Sequence, residues 1–150
     1  MSKEVESSGQ RESDLQSALG LFCGAREEYS LGYREGLRRE ISNELVVDMY
    51  LHAESLLGDG YQQSAAVLAA AALEDCFKRR VEDSGFQTEG KTLTDYISKL
   101  KSDGQLSGAT AKIVSGFPKF RNAAMHADWD RITDAEVSSV CAFIKKFSVQ

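Results

Sequence analysis

One segment, from Tyr61 to Asp83, constrains the fold of this chain most strongly. Its apolar residues recur at intervals of three and four, which is the spacing of one face of an α-helix, and neither glycine nor proline interrupts it. The apolar positions are Ala65, Leu68, Ala69, Ala72, Leu73, Cys76 and Phe77. Because alanine side chains let two helix backbones approach closely, we predict that this segment is the central helix of a bundle.

Other helical patterns flank this central segment. Residues 15–33 have a mixed pattern weakened by glycines, and residues 35–57 have a clearer one that ends at Gly58-Asp59-Gly60. Capping signals that begin at Thr92 and Thr133 introduce two more helices, and a further helix begins near Ser107. Since the connections are short, the sequence predicts an all-α, up-and-down bundle of four to six helices.

The length of 150 residues suits one domain with a hydrophobic core. Residues 1–14 are almost entirely polar and predict a flexible tail, or a lead-in to the first helix. Residues 15–150 are then expected to form a single domain. The three cysteines form no disulfide or metal-binding pattern, so we expect a cytoplasmic protein. No apolar run approaches the roughly 20 residues that cross a bilayer, so we expect no membrane partner.

The net charge of −5 argues against a broadly basic nucleic-acid-binding surface, although it leaves room for a local basic patch. One such patch runs from Lys112 to His126, which includes Lys119 and Arg121 and contains no carboxylate. A second basic cluster is Lys78-Arg79-Arg80. That cluster is also typical of a solvated helix end, where cations interact favourably with the helix dipole.

Pro118 interrupts the helical pattern that follows Ser107. Proline lacks an amide donor and clashes with the carbonyl four residues earlier, so the helix must kink or restart there. If it restarts with Pro118 in its first turn, Arg121 and Asn122 lie near a new helix N-terminus. The free amides and the positive end of the helix dipole would then face an anion.

The residues from Arg121 to His126 form the candidate functional motif, R-N-x-x-x-H. Asn122 and His126 are four residues apart and share a helix face. Arg121 points about 100° away, but its long side chain can fold towards the same opening. One short stretch of helix therefore offers a titratable imidazole, a neutral amide and a permanent cation.

These three groups suit RNA cleavage without a metal ion. The 2′-hydroxyl attacks the neighbouring phosphorus while a base accepts its proton and an acid protonates the leaving 5′-oxygen. Histidine suits proton transfer because its pKa lies near neutrality, and the charged, planar fork of arginine suits phosphate. Asparagine can orient the imidazole or the phosphate. One motif supplies a single histidine, whereas two motifs across a two-fold axis would supply two.

The segment from Phe120 to Phe147 resembles the HEPN superfamily. It reads FRNAAMHADWDRITDAEVSSVCAFIKKF. Members of that superfamily carry an R-(N/D/H)-x-x-x-H motif, a short turn and a final amphipathic helix. The stretch AAVLAAAALEDCFKRR is also similar to the central helix of such domains, so the resemblance extends over roughly Tyr61 to Phe147.

The resemblance implies a homodimeric all-α bundle in which two motifs line one cleft and no metal or other cofactor is needed. It implies a metal-independent endoribonuclease of a bacterial toxin–antitoxin or antiphage defence system, with an antitoxin or defence-complex protein as a further partner. Arg121 would stabilise the RNA phosphate, Asn122 would orient the imidazole or the phosphate, and His126 would act as acid or base. Glu74 lies where related domains often carry an acidic residue, and would support the site.

Three further residues are candidates for contact with RNA. Lys119 and Lys78 would attract phosphate, and Trp129 would stack on a base. Each also has an ordinary structural interpretation. Trp129 equally fits a position that covers the core near the last helix, and Lys78 fits the solvated helix end described above.

Other functions remain open at this point. Many HEPN domains are inactive and serve as interaction or dimerisation modules, and the acidic net charge fits that alternative. His126 can cap helix carbonyls and Arg121 can pair with Asp128 or Asp130, which are purely structural roles. His126, Asp128 and Asp130 could also hold a metal ion, although their spacing is not a recognised one. In one HEPN branch an antitoxin modifies a tyrosine two positions after the histidine; Asp128 stands there instead, so that form of control is not expected.

Overall fold

A computed structural model of the chain describes the backbone of residues 2–148 and the side chains from residue 13 onward, except those of residues 35, 38, 39 and 42. Within this range the regular structure is entirely helical, which confirms the all-α prediction. The helices are α1 (Ser2–Gly58), α2 (Gln62–Asp83), α3 (Leu93–Ser102), α4 (Gly108–Val114), α5 (Phe117–Met125) and α6 (Asp134–Ser148), with one turn of 3-10 helix (Trp129–Arg131) before α6. None of these helices is long and apolar enough to span a bilayer.

The first helix includes the residues for which the sequence allows either a flexible tail or a lead-in to a helix. The backbone is helical from Ser2, so residues 2–14 continue into the first helix. The chain divides into compact units between Ile41 and Ser42. The reason is burial: every described side chain from residue 13 to residue 41 is exposed, and the buried core begins at Val46.

In the second unit, residues 42–150, α2 is the central helix, as predicted. It packs against α3, α5 and α6. Its buried face consists of Ala65, Ala66, Ala69, Ala70, Ala72, Leu73, Cys76, Phe77 and Val81. Five alanines on this face permit close helix approach, while the fully buried Leu73 and Phe77 fill the space between helices. Truncating either of these two to alanine would cost about 3–5 kcal/mol.

Capping boxes fix the starts of α3 and α6, as the sequence predicts. The Asp95 carboxylate accepts the Thr92 backbone amide at 2.8 Å. The Glu136 carboxylate accepts the Thr133 amide at 2.9 Å, and the Glu136 amide donates to the Thr133 hydroxyl at 3.2 Å. The hydrogen bonds from Thr92 lower the pKa of Asp95. The resulting stabilisation is present above the pKa of an unfolded aspartate and is lost as the pH falls through the lower, folded-state value.

Candidate functional site

The motif lies on a helix that restarts at Pro118. The helix α4 ends at Val114, and α5 begins at Phe117 with Pro118 in its first turn. The predicted restart is therefore confirmed. However, Arg121 and Asn122 lie in the second turn, beyond the amides that α5 leaves free, because the Phe120 amide already donates to Gly116. The expected anion site at the helix N-terminus consequently does not include these two residues.

Arg121 is held by Glu74 of the central helix. Its Nε donates to Glu74 Oε2 at 2.7 Å and its Nη2 donates to Oε1 at 3.1 Å, which is a bidentate pair. The two side chains are about one third exposed (30% and 29%), so solvent partly screens the interaction. The bond joins residues 47 positions apart and links α5 to α2. Glu74 therefore fixes the direction of the guanidinium.

Asn122 and His126 line one open groove, as their spacing predicts. The His126 amide donates to the Asn122 carbonyl at 3.0 Å, so the two residues are one helical turn apart. The groove has a volume of about 600 Å³, and its lining also includes Lys119, Phe120, Ala123, Asp128, Arg131 and Glu136. Arg121 does not line it, but its Nη1 donates to Asn122 Oδ1 at 3.3 Å. The amide of Asn122 thus connects the held arginine to the open groove.

His126 occupies the end of α5, where the backbone turns sharply. It is the C-cap residue, and the following Ala127 has a φ of 58°. The Asp128 amide then donates to the Ala123 carbonyl at 2.9 Å, which is the six-residue bond of a Schellman motif. Left-handed backbone is costly for alanine, since its Cβ crowds the carbonyl oxygen. This turn leaves the His126 side chain exposed.

The groove contains charges of both signs. Lys119 and Arg131 are exposed cations on its wall, and Asp128 and Glu136 are exposed carboxylates. The two carboxylates already have partners. Asp128 accepts Arg131 at 3.1 Å, and Glu136 accepts the amide and hydroxyl of Thr133. Among the described residues Lys119 forms no ion pair, so its ammonium is available to an incoming anion.

Other candidate residues lie outside this groove. Lys78 is exposed on α2, whereas its neighbours have structural contacts: Arg79 pairs with Asp75, and Arg80 donates to the Phe147 carbonyl and stacks on its ring. Trp129 is partly buried against the core, which favours the covering role over base stacking. The part of the chain with described side chains contains no group of three acidic, histidine or cysteine side chains placed to hold a metal. His126, Asp128 and Asp130 are thus not assembled as a metal site.

The cysteines do not supply a nucleophile to the groove. Burial raises the pKa of Cys76 and of Cys141 to about 11, so both remain protonated thiols near neutral pH. Cys23 is exposed on α1, and none of the three forms a disulfide. Among the residues that line the groove, His126 is therefore the candidate for proton transfer.

Two groove residues, Arg131 and Glu136, were not identified from the sequence as site residues. Arg131 follows the motif within a turn, and Glu136 was recognised only as the end of a capping box. The capping box at Thr133 marks where α6 begins, but neither it nor Ala127, whose φ is positive, indicates in the sequence that Arg131 and Glu136 line the groove.

Comparison with known proteins identifies one related family. A family model described as a domain of unknown function (DUF4145) matches residues 52–148, which is more than half of the chain. No curated protein and no solved structure matches the chain. The matched range includes α2, the motif and α6, and therefore the whole groove.

Proposed function

The chain belongs to the DUF4145 family, and we propose that it is a metal-independent endoribonuclease of a bacterial toxin–antitoxin or antiphage defence system. One observation carries the proposal. Asn122 and His126 line a groove with two cations and two carboxylates that already have partners, and Arg121 is held beside it by Glu74. The resemblance of the motif to the HEPN superfamily supports the same activity.

In the proposed reaction, the 2′-oxygen of a nucleotide attacks the neighbouring phosphorus and its proton passes to a base. The bond between phosphorus and the 5′-oxygen breaks, and an acid protonates the leaving oxygen. His126 performs one of these proton transfers, since histidine is the side chain that most often serves as a general acid or base. The products are a 2′,3′-cyclic phosphate and a 5′-hydroxyl end.

Arg121 retains donors for phosphate although it is paired with Glu74. A guanidinium has five N–H donors, and three of those of Arg121 are engaged: two by Glu74 and one by Asn122. The remaining two, on Nη1 and Nη2, are available to the phosphoryl oxygens. Glu74 then acts as a positioning residue, which holds the fork in one orientation before RNA binds.

Lys119 and Arg131 are expected to bind the RNA backbone on either side of the scissile phosphate. Both are exposed on the groove wall, and cations that contact phosphate make RNA affinity fall as salt concentration rises. A single groove contains one histidine, so we expect a homodimer in which a second groove supplies the other proton-transfer group. A reducing cytoplasm would be the site of action, consistent with three free thiols.

A second candidate function is a catalytically inactive interaction or dimerisation module in a larger complex. It is favoured by the bidentate bond between Arg121 and Glu74, because that bond also has the geometry of a purely structural link between helices. The net charge of −5 points in the same direction, since it disfavours nonspecific RNA binding.

The test is cleavage of total RNA and tRNA by the full-length protein in excess EDTA. We expect wild type to cut, and both His126→Ala and Arg121→Ala to lose at least about a hundredfold in rate, within the range assigned to acid–base and electrostatic catalysis. His52→Ala is the matched control, because His52 is the other histidine of the chain and lies exposed on α1. Equal cleavage by His126→Ala and wild type would refute the proposal, and a folded wild type that cuts neither RNA would favour the interaction module.

A further inference from the structure

The side chain of Glu136 is held in place by the capping box of α6, yet one of its two oxygens has no partner. Its Oε2 accepts both the Thr133 backbone amide at 2.9 Å and the Thr133 hydroxyl at 3.0 Å. Its Oε1 accepts no hydrogen bond from the residues that the structure describes, and the side chain lines the groove of Asn122 and His126. The groove therefore has an acceptor whose position is fixed before any ligand binds.

Glu136 also keeps its negative charge, in contrast to Asp128. Thr133 supplies only neutral donors to Glu136, whereas the Asp128 carboxylate faces the guanidinium of Arg131 at 3.1 Å. A negative charge that no cation neutralises repels phosphate, so the phosphates of a bound RNA strand lie towards the ammonium of Lys119. The part of the nucleotide that meets Glu136 is then uncharged and carries a hydrogen-bond donor.

The amino group of a base is the donor that matches this acceptor. Sequence-specific RNA recognition targets unpaired bases, which form hydrogen bonds on their pairing edges, and a carboxylate accepts the N4 amino group of cytosine. Uracil carries a carbonyl oxygen at that position, and its N3–H lies between two carbonyl oxygens that a carboxylate repels. The groove volume of about 600 Å³ is within the roughly 300–1,000 Å³ of pockets for small ligands, so it has room for one unpaired nucleotide.

We propose that the groove selects an unpaired nucleotide whose base carries an amino group, with cytosine preferred over uracil, and that Glu136 Oε1 accepts that amino group. This inference rests on the proposed function, because it requires that the groove bind RNA. It adds the base that is read beside the scissile phosphate. Since the capping box already fixes the carboxylate, little side-chain freedom is lost when the hydrogen bond forms.

The variant Glu136→Gln tests this assignment with little disturbance of the helix start. Glutamine also completes a capping box, and only its carbonyl oxygen can accept the Thr133 amide. Its NH₂ group then takes the place of Oε1, so the groove offers a donor instead of an acceptor. This exchange should remove the preference for cytosine and favour the O4 carbonyl of uracil.

Binding is measured by fluorescence anisotropy with short 2′-O-methyl oligocytidylate and oligouridylate, which lack the attacking hydroxyl and are not cut. We expect wild type to bind the cytidine strand about fivefold more tightly, the effect of one solvent-accessible hydrogen bond, and Glu136→Gln to lose or reverse this preference. Asp95→Asn is the matched control. Asp95 Oδ2 accepts the Thr92 amide and hydroxyl at 2.8 and 2.9 Å in the capping box of α3, but Asp95 does not line the groove. This variant makes the same change of charge and should keep the wild-type preference.

Three results would overturn the proposal: equal affinity of wild type for the two strands, a cytidine preference that survives Glu136→Gln, or binding of neither strand by the folded protein. The measurements involve no cleavage, so they are separate from the test of the nuclease proposal. A protein that prefers cytidine but cuts no RNA would refute the nuclease proposal alone. A protein that cuts RNA but binds both strands equally would refute this inference alone.

Discussion

The bond between Arg121 and Glu74 gives a quantitative prediction for Glu74→Gln. Glutamine keeps the size of the side chain and one carbonyl acceptor, so one hydrogen bond from the guanidinium to a neutral oxygen replaces two hydrogen bonds to a carboxylate. Exposed ion pairs contribute up to about 1 kcal/mol, and breaking a buried pair costs roughly 3–5 kcal/mol. Since both side chains are about one third exposed, we expect a loss of about 1–2 kcal/mol, or roughly 3–8 °C in melting temperature.

Urea and thermal unfolding followed by circular dichroism would measure this loss. Asp103→Asn is the matched control: Lys99 and Asp103 are similarly exposed (30% and 25%) and 2.8 Å apart, but they lie four residues apart in sequence at the end of α3. That variant should lose no more than about 0.5 kcal/mol. A double-mutant cycle with Arg121→Gln isolates the pair. A coupling energy below about 0.3 kcal/mol would refute the view that Glu74 fixes Arg121.

Three further changes test other parts of the structure. Ala127→Gly should raise the free energy of unfolding in urea by about 0.5–1 kcal/mol, because glycine adopts the left-handed backbone without strain and its entropic cost is smaller than that gain. Ala142→Gly, in the middle of α6, should lower the free energy of unfolding by a similar amount. A change of the same sign in both variants would contradict this reasoning. Thr133→Ala should lower the free energy of unfolding by about 1 kcal/mol, because the α6 capping box is lost. Thr94→Ala should leave the free energy of unfolding unchanged or raise it slightly. Iodoacetamide at pH 8 should modify only Cys23 in the folded protein, as judged by mass spectrometry, and fast labelling of the buried thiols would contradict their raised pKa.

The sequence predicted the second unit well because its signals are local. The helical period of α2, the capping boxes at Thr92 and Thr133, and the break at Pro118 each depend on residues within a few positions. The shared groove of Asn122 and His126 also followed from helical spacing. The pairing of Arg121 with Glu74 was not predictable from spacing, because it depends on how α5 packs against α2.

The signals in the first unit were less decisive. Residues 1–14 allowed a tail or a lead-in to a helix, and residues 15–33 had a helical pattern weakened by glycines; the backbone is helical from Ser2 to Gly58. Every described side chain from residue 13 to residue 41 is exposed, so no buried face imposes a clear hydrophobic period on that part of the sequence. The sequence indicates a turn directly after His126, but the left-handed conformation of Ala127 within that turn has no signature in an alanine.

The most direct test of the proposed activity uses one RNA oligonucleotide in two forms. The full-length protein, in excess EDTA, is incubated with the all-ribose strand and with the same strand carrying a 2′-deoxyribose at the mapped cleavage site. The proposed reaction predicts that the first is cut to a 2′,3′-cyclic phosphate end and that the second resists cleavage at that position, since it lacks the attacking hydroxyl. Two results would contradict the role of Arg121, Asn122 and His126 proposed above. One is cleavage at the deoxy-substituted position, and the other is a 3′-hydroxyl end on the product of the ribose strand.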